Sequence, residues 1–220
     1  MSTALRRATL EDAEALSRLA TDAFVAAFGH LYKPEDLQLF LDEFRTPARY
    51  RADLANPAKR VALAEFDGEL AAYCLIVIGR HFEERPEPRP ARPAFLSQLY
   101  CAPGMPGHAI GAALMDWALA EARAEGADAL QLSVFSGNTR AQRFYHRYGF
   151  AKVADIDFWV GNHRDDEFLY ELALRSPLPG GEGVGGGGST LAPNTPTPTL
   201  PLKGEGDSSN SPPDPATAAR

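Results

Sequence analysis

The sequence predicts an α/β (α+β) fold in which helices flank a mixed, mostly antiparallel sheet, and three features predict it. Leu96 to Gly111, LSQLYCAPGMPGHAIG, reads as a sheet-interior strand, then a turn broken by Pro103, Gly104, Pro106 and Gly107, then a helix from Ile110. Asp67-Gly68 is a hairpin turn between the apolar runs Val61 to Phe66 and Leu70 to Ile78. Elsewhere apolar residues recur at i, i+3, i+4 and i+7, the period of a helix with one buried side. The chain has 220 residues, 45% of them hydrophobic, which is ample for one core.

Leu5 to Ala8 is the first predicted strand. A helix follows over about Glu11 to Phe28, with Ala15, Leu16, Leu19, Ala20 and Ala23 on one face. A second starts after Pro34, with Leu37, Phe40, Leu41 and Phe44 inward. The later strand of the Asp67-Gly68 hairpin, LAAYCLIVI, is continuously apolar and is expected to be covered on both faces. Arg80 to Pro93, charged and studded with prolines, is expected to be a mobile, exposed loop. In the helix after the junction, Ile110, Ala113, Leu114, Trp117 and Ala118 form one stripe, and Gly126 closes it. Leu130, Leu132 and Val134 alternate as a strand that delivers Asn138, a capping residue, to a short helix carrying Ala141, Phe144, Tyr145 and Tyr148 and stopped by Gly149. Val153 to Val160 and Phe168 to Leu174 make a final hairpin across GNHRDDE.

After Arg175 the composition changes abruptly. Residues 176–220 are dominated by Gly, Pro, Ser and Thr and cannot bury enough surface to fold, so residues 1–175 are expected to form the domain and the rest a disordered tail. The net charge of −7 argues against nucleic acid and suits a cationic small molecule. No apolar run approaches membrane-spanning length, and Arg6 and Arg7 are followed too closely by Glu11, Asp12 and Glu14 for a secretory signal, so a cytoplasmic location is expected. Cys74 and Cys101 lie in apolar strands and read as small buried hydrophobes. No His/Cys cluster has metal-ligand spacing, and no metal is expected.

The junction has the makings of an anion site. The first turn of a helix presents amides without intrahelical partners at the positive end of its dipole, and Gly107, Ala109 and Gly111 leave that backbone uncovered. No Gly-Lys-Ser/Thr follows, so it is not a P-loop, and no Gly-x-Gly-x-x-Gly beside a first strand points to a dinucleotide fold. Asn138 and Tyr145 are nearly two turns apart and can face one groove.

With these two segments the chain resembles the GNAT superfamily of N-acetyltransferases. The pattern N-x-x-A-x-x-F-Y-x-x-x-G-F is matched by Asn138, Ala141, Phe144, Tyr145, Gly149 and Phe150. The coenzyme pattern P-x-x-Q/R-x-x-G-x-G/A is matched at Pro103 and Gly111, with Pro106 at the Gln/Arg position and Ala109 at the usual Gly. FWVGNHRDDEFLYEL and AAFGHLYKPEDLQLFL are similar to the PaiA-like, polyamine-acetylating branch. The likeness spans Leu5 to about Leu174.

The resemblance implies the GNAT fold, its central sheet splayed at the coenzyme site where the strands from Leu96 and Leu130 part. It implies acetyl-CoA as donor, the pantetheine arm pairing with backbone at Leu99, Tyr100 and Cys101, and the pyrophosphate held by Pro106, Gly107, His108, Ala109, Ile110 and Gly111 with Asn138 and Tyr145 alongside. Pro106 removes one amide donor from that cradle. A strand amide would stabilise the oxyanion, and Tyr145 would return a proton to the departing thiolate. Ser97 stands where several members carry a Glu, so either Ser97 or Gln98 holds a relay water or both are buried or edge-facing polar residues with no catalytic part. Phe28, His30 and Tyr32 are acceptor-wall candidates, and Asp155, Asp157, Asp165 and Asp166 could attract a cation, though such charges more often form a solvated face. The implied function is acetyl transfer to a primary amine of a small molecule, a polyamine among the candidates, with a homodimer as one option for its assembly. Acetylation of a protein amine, and a degenerate module that binds acyl-CoA without turnover, remain as alternatives. Pro106, Ala109 and Ser97 favour the module.

Overall fold

The computed structural model describes residues 3–105 and 109–174. Pro106, Gly107, His108 and the expected tail lie outside the described residues. Strand β1 (Thr3–Arg7) leads through a 3-10 turn at Leu10–Asp12 into helix α1 (Ala13–Phe28), followed by α2 (Pro34–Phe44) and α3 (Pro47–Ala55). Then come β2 (Lys59–Phe66), β3 (Glu69–Ile78), β4 (Pro93–Cys101), α4 (Ile110–Ala124), β5 (Ala129–Phe135), α5 (Thr139–Arg147), β6 (Ala151–Val160) and β7 (His163–Ala173). The strands form one sheet in the order β1-β2-β3-β4-β5-β7-β6, antiparallel throughout except where β4 runs parallel to β5.

Each face of the sheet carries a hydrophobic layer. On one, Ile110, Leu114, Met115 and Ala118 of α4 and Phe144 and Tyr145 of α5 pack on Cys74, Ile76, Leu96, Leu99 and Leu132. On the other, Leu16, Phe24 and Phe28 of α1, Phe40 of α2 and Tyr50 of α3 pack on Leu63, Tyr73, Leu75, Phe95, Tyr100 and Leu169. Strand β3 is covered on both sides, as its unbroken apolar run predicts.

Four local features correct or add to the expectations. The buried side of α4 is Ile110, Gly111, Leu114, Met115, Ala118, Leu119 and Ala122, which leaves Ala113 and Trp117 at its margin. Helix α3 is not announced by apolar spacing. It starts because Pro47 occupies the first turn and the Thr46 hydroxyl accepts from the Arg49 amide at 3.2 Å. The stretch from Arg80 to Pro93 is largely exposed, as expected, but it is anchored at several points. Phe82 is buried edge-on against Phe95, Arg85 forks onto Glu171 through two bonds of 2.9 Å, and the Asp128 carboxylate accepts from the amides of Ala91 and Arg92. Finally, the turn between β6 and β7 is just Gly161-Asn162, so Asp165 and Asp166 belong to a strand and face opposite ways. Asp165 is buried and Asp166 exposed.

The tight turn is bound to α2. The Asp36 carboxylate accepts from the backbone and side-chain nitrogens of Asn162 at 2.9 and 3.1 Å, while Gly161, at φ +57°, passes against the Asp36 backbone. This contact holds the start of α2 over the β6–β7 end of the sheet.

Candidate active site

Strands β4 and β5 pair at Pro93↔Ala129, Ala94↔Leu130, Phe95↔Gln131 and Leu96↔Leu132 and then separate, although β4 continues to Cys101 and β5 to Phe135. The cause lies on the other edge of β4. Leu75 of β3 opposes Gln98, yet the next residue, Ile76, opposes Leu96, which leaves Ser97 as the extra residue of a bulge. A bulge bends and overtwists its strand, and this one coincides with the point of parting. It also resets side-chain alternation: Leu96 and Leu99 both meet the α4 side, whereas Gln98 and Tyr100 meet the α1 side. Among the described residues, from Ser97 on β4 has β3 on one edge and no strand on the other. Its free amides and carbonyls can there receive an extended, amide-bearing chain.

The start of α4 lies on the Leu99 side. Ile110 and Gly111 are buried, and Ala113 donates to the Ala109 carbonyl at 3.0 Å, so the amides before Ala113 in this first turn have no intrahelical acceptor. Ala109 caps the helix with φ +55°, a left-handed conformation that suits glycine better than alanine. Ala109→Gly is therefore expected to stabilise the protein by about 0.5–1 kcal/mol, read as a Tm rise of roughly 2 °C; a fall in Tm would mean that this conformation carries no strain.

On the same side, Asn138 caps α5, its Oδ1 accepting from Ala141 N at 3.1 Å. Tyr145 is fully buried in the core cluster that contains Leu99, Ile110 and Leu114, edge-on to Phe144 and Phe150 at 5.3 and 5.9 Å between centroids. The two segments singled out in the sequence thus share one face beside the gap. Burial pushes the Cys101 thiol up to about 12, with Arg140 pulling it down, so it is a neutral thiol and not a nucleophile at neutral pH.

The opposite face is unexpectedly polar. Gln98 Oε1 accepts from the hydroxyls of Tyr50 and Tyr73 at 3.0 and 2.7 Å. The buried Arg45 guanidinium lies among the rings of Phe24, Phe40 and Tyr100 at 4.9–5.8 Å. Tyr32 donates to Asp165 at 2.5 Å, and His163 Nε2 lies 3.2 Å from the other oxygen of that carboxylate. Glu167, on the same side of β7, is wholly buried. Ser97 Oγ is buried without a hydrogen-bond partner.

Residues 14–150 match the model of the acetyltransferase (GNAT) family. An uncharacterised N-acetyltransferase of Mycobacterium tuberculosis is 31% identical over 160 residues, covering 73% of this chain and 96% of its own. The chain belongs to the GNAT family. It is an acetyl-CoA-dependent acyltransferase, and other N-acetyltransferases extend the likeness. The aminoalkylphosphonate N-acetyltransferase of Salmonella typhimurium is 32% identical over 147 residues, covering 66% of this chain and 83% of that one. In fold, the PaiA N-acetyltransferase from Thermoplasma acidophilum, solved in complex with coenzyme A, superposes with a TM-score of 0.62 at 20% identity, over 79% of this chain and all of that one.

Within this GNAT fold, Leu99, Tyr100 and Cys101 line the separated edge of β4, and Ala109, Ile110, Gly111, Asn138 and Tyr145 gather beside it. Of the acceptor-wall candidates, Tyr32 meets the polar face, Phe28 is a core residue and His30 is exposed. Asp155, Asp157 and Asp166 are solvent-facing and Asp165 is not. Arg45, Tyr50, Tyr73 and Glu167 went unmarked in the sequence. The one available signal was the period of two in Asp165, Glu167 and Leu169, which places carboxylates and an apolar residue on a single strand face. Among the described residues, no helix is long and apolar enough to cross a membrane.

Proposed function

We propose that this protein is a cytoplasmic enzyme that transfers acetyl from acetyl-CoA directly to the primary amine of a small molecule, with polyamines as the leading class. The observation that carries the reading is the convergence of Leu99, Ile110 and Tyr145 on one side of the gap between β4 and β5. The freed edge at Leu99, Tyr100 and Cys101 accepts the pantetheine arm, and Ala109, Ile110 and Gly111 at the start of α4, with the preceding residues Pro106, Gly107 and His108, take the pyrophosphate. Asn138 acts by fixing the start of α5, which carries Tyr145 to the thioester. The Tyr145 hydroxyl then supplies a proton to the leaving sulfur, and the Ser97 hydroxyl holds a relay water in the gap.

An anionic protein whose polar face carries buried carboxylates suits a cationic acceptor. The test is steady-state release of free CoA thiol with a panel of spermidine, an alkyl monoamine, an aminoalkylphosphonate and a peptide with a free amino terminus. Spermidine is expected to give the highest kcat/KM. Preference for the peptide would make the protein a protein-amine acetyltransferase, and tight acetyl-CoA binding with no thiol release on any amine would make it an acyl-CoA-binding module.

A further inference from the structure

An alkylammonium loses its proton in water only near pH 10.4, so at neutral pH an N-acetyltransferase has to take that proton before nitrogen can attack. Glu167 is placed to do this. It sits on β7 opposite Phe135, the last residue of β5, and so at the level where β4 and β5 have already parted. Its side chain is completely buried, and neither carboxylate oxygen has a partner in hydrogen-bond geometry among the described residues. A carboxylate taken out of water, with the Ser133 hydroxyl as the neighbour that favours its charge, is costly, and such a group calls for a further partner that arrives from outside.

The surroundings specify that partner. The Ser133 hydroxyl of β5 favours the charged form of Glu167, Asp165 of β7 opposes it, and the charge of Glu167 reaches Tyr100 of β4 and Tyr32 of the turn after α1. None of these four is a cation. Of the cations on this face, Arg45 lies among the rings of Phe24, Phe40 and Tyr100, and Arg80 lies over those of Phe82 and Phe95. A cleft lies alongside: the cross-strand neighbour of Glu167 on β6 is Ile156, which lines a cleft of about 220 Å³ together with Glu83, Glu84, Asp157, Arg80 and His81. Asp157 is paired with Arg164, and the two glutamates outnumber Arg80, which favours a cationic visitor.

We propose that Glu167 is the catalytic residue that receives the acceptor's ammonium proton, with the amine entering along the cleft beside Ile156; this rests on the acetyl transfer proposed above. The ammonium gives one proton to the Glu167 carboxylate, and the freed lone pair forms the N–C bond to the thioester carbonyl carbon. The C–S bond then breaks. The sulfur takes the Tyr145 hydroxyl proton, the second proton leaving nitrogen restores that hydroxyl, and the proton on Glu167 passes to water as the amide departs. Burial also raises the Glu167 carboxyl well above the usual carboxylate range, which makes it a stronger base toward an ammonium than an exposed glutamate would be.

The experiment compares two acceptors, spermidine and trifluoroethylamine, which is already neutral at pH 7, with wild type and Glu167→Gln. For Glu167→Gln, kcat/KM with spermidine is expected to fall 100-fold or more, while kcat/KM with trifluoroethylamine and the calorimetric Kd for acetyl-CoA stay within about threefold. In wild type, the rise of kcat/KM with pH that ionisation of Glu167 imposes is expected with spermidine and absent with the neutral amine, and this comparison needs no variant. Equal losses on both amines, or spermidine turnover retained by Glu167→Gln, overturn the role of Glu167 alone. Wild type that releases no thiol with either amine overturns the transferase reading itself.

Discussion

Tyr145→Phe is expected to lower kcat about 100-fold at saturating acetyl-CoA while leaving the Kd for acetyl-CoA and the Tm close to those of wild type. The ring is buried edge-on against Phe144 and Phe150, and phenylalanine keeps that shape, so no cavity opens and the α5 contacts persist. What is lost is one hydroxyl. Sulfur leaves a tetrahedral centre more readily when it is protonated as the C–S bond breaks, and a phenol hydroxyl placed beside it can supply that proton. Unchanged kcat would remove the acid role. A weakened Kd with unchanged kcat would instead make Tyr145 a binding residue for the coenzyme arm.

Gly161→Ala is expected to cost about 2–4 kcal/mol, read as a Tm drop of roughly 10 °C, and to raise KM for the acceptor more than KM for acetyl-CoA. A Cβ there would lie 2.6 Å from Asp36 Cα and 2.7 Å from its carbonyl oxygen, and φ of +57° adds strain for any L side chain. Backbone cannot rotate out of the way as a flexible side chain can. Relief requires α2 to move off the β6–β7 turn, breaking the bonds from Asn162 to the Asp36 carboxylate. Because α2 and the turn that carries Tyr32 flank the polar face, the acceptor side suffers first, while the α4 side is untouched. A Tm within 2 °C of wild type would show that this contact is slack.

The coenzyme half of the site was legible because its signals are local. A capping Asn138, apolar residues at helical spacing through Tyr145, a stopping glycine and a proline–glycine break before Ile110 all act within a few residues of themselves, and the structure keeps Asn138 at the cap and Tyr145 inside. The acceptor half was not. In GNHRDDE every residue looks like turn or surface, and a run of charges within one hairpin says nothing about what covers it. Asp165 and Glu167 become interior only because α1 and α2 lie over that side of β7, and Arg45 becomes buried only because three rings from α1, α2 and β4 close around it.

By itself, the sequence determined the strand-to-helix junction, the capped helix bearing Tyr145 and both hairpins, since periodicity, caps and turn residues are short-range physics, while the family was legible only through the resemblance of its motifs. The tertiary structure alone decided where the sheet opens and which carboxylate is hidden. The bulge at Ser97 exists only as a mismatch of register between β3 and β4, and burial of Glu167 depends on helices more than a hundred residues earlier in the chain. Both are properties of pairs of distant segments, and no window of sequence contains them.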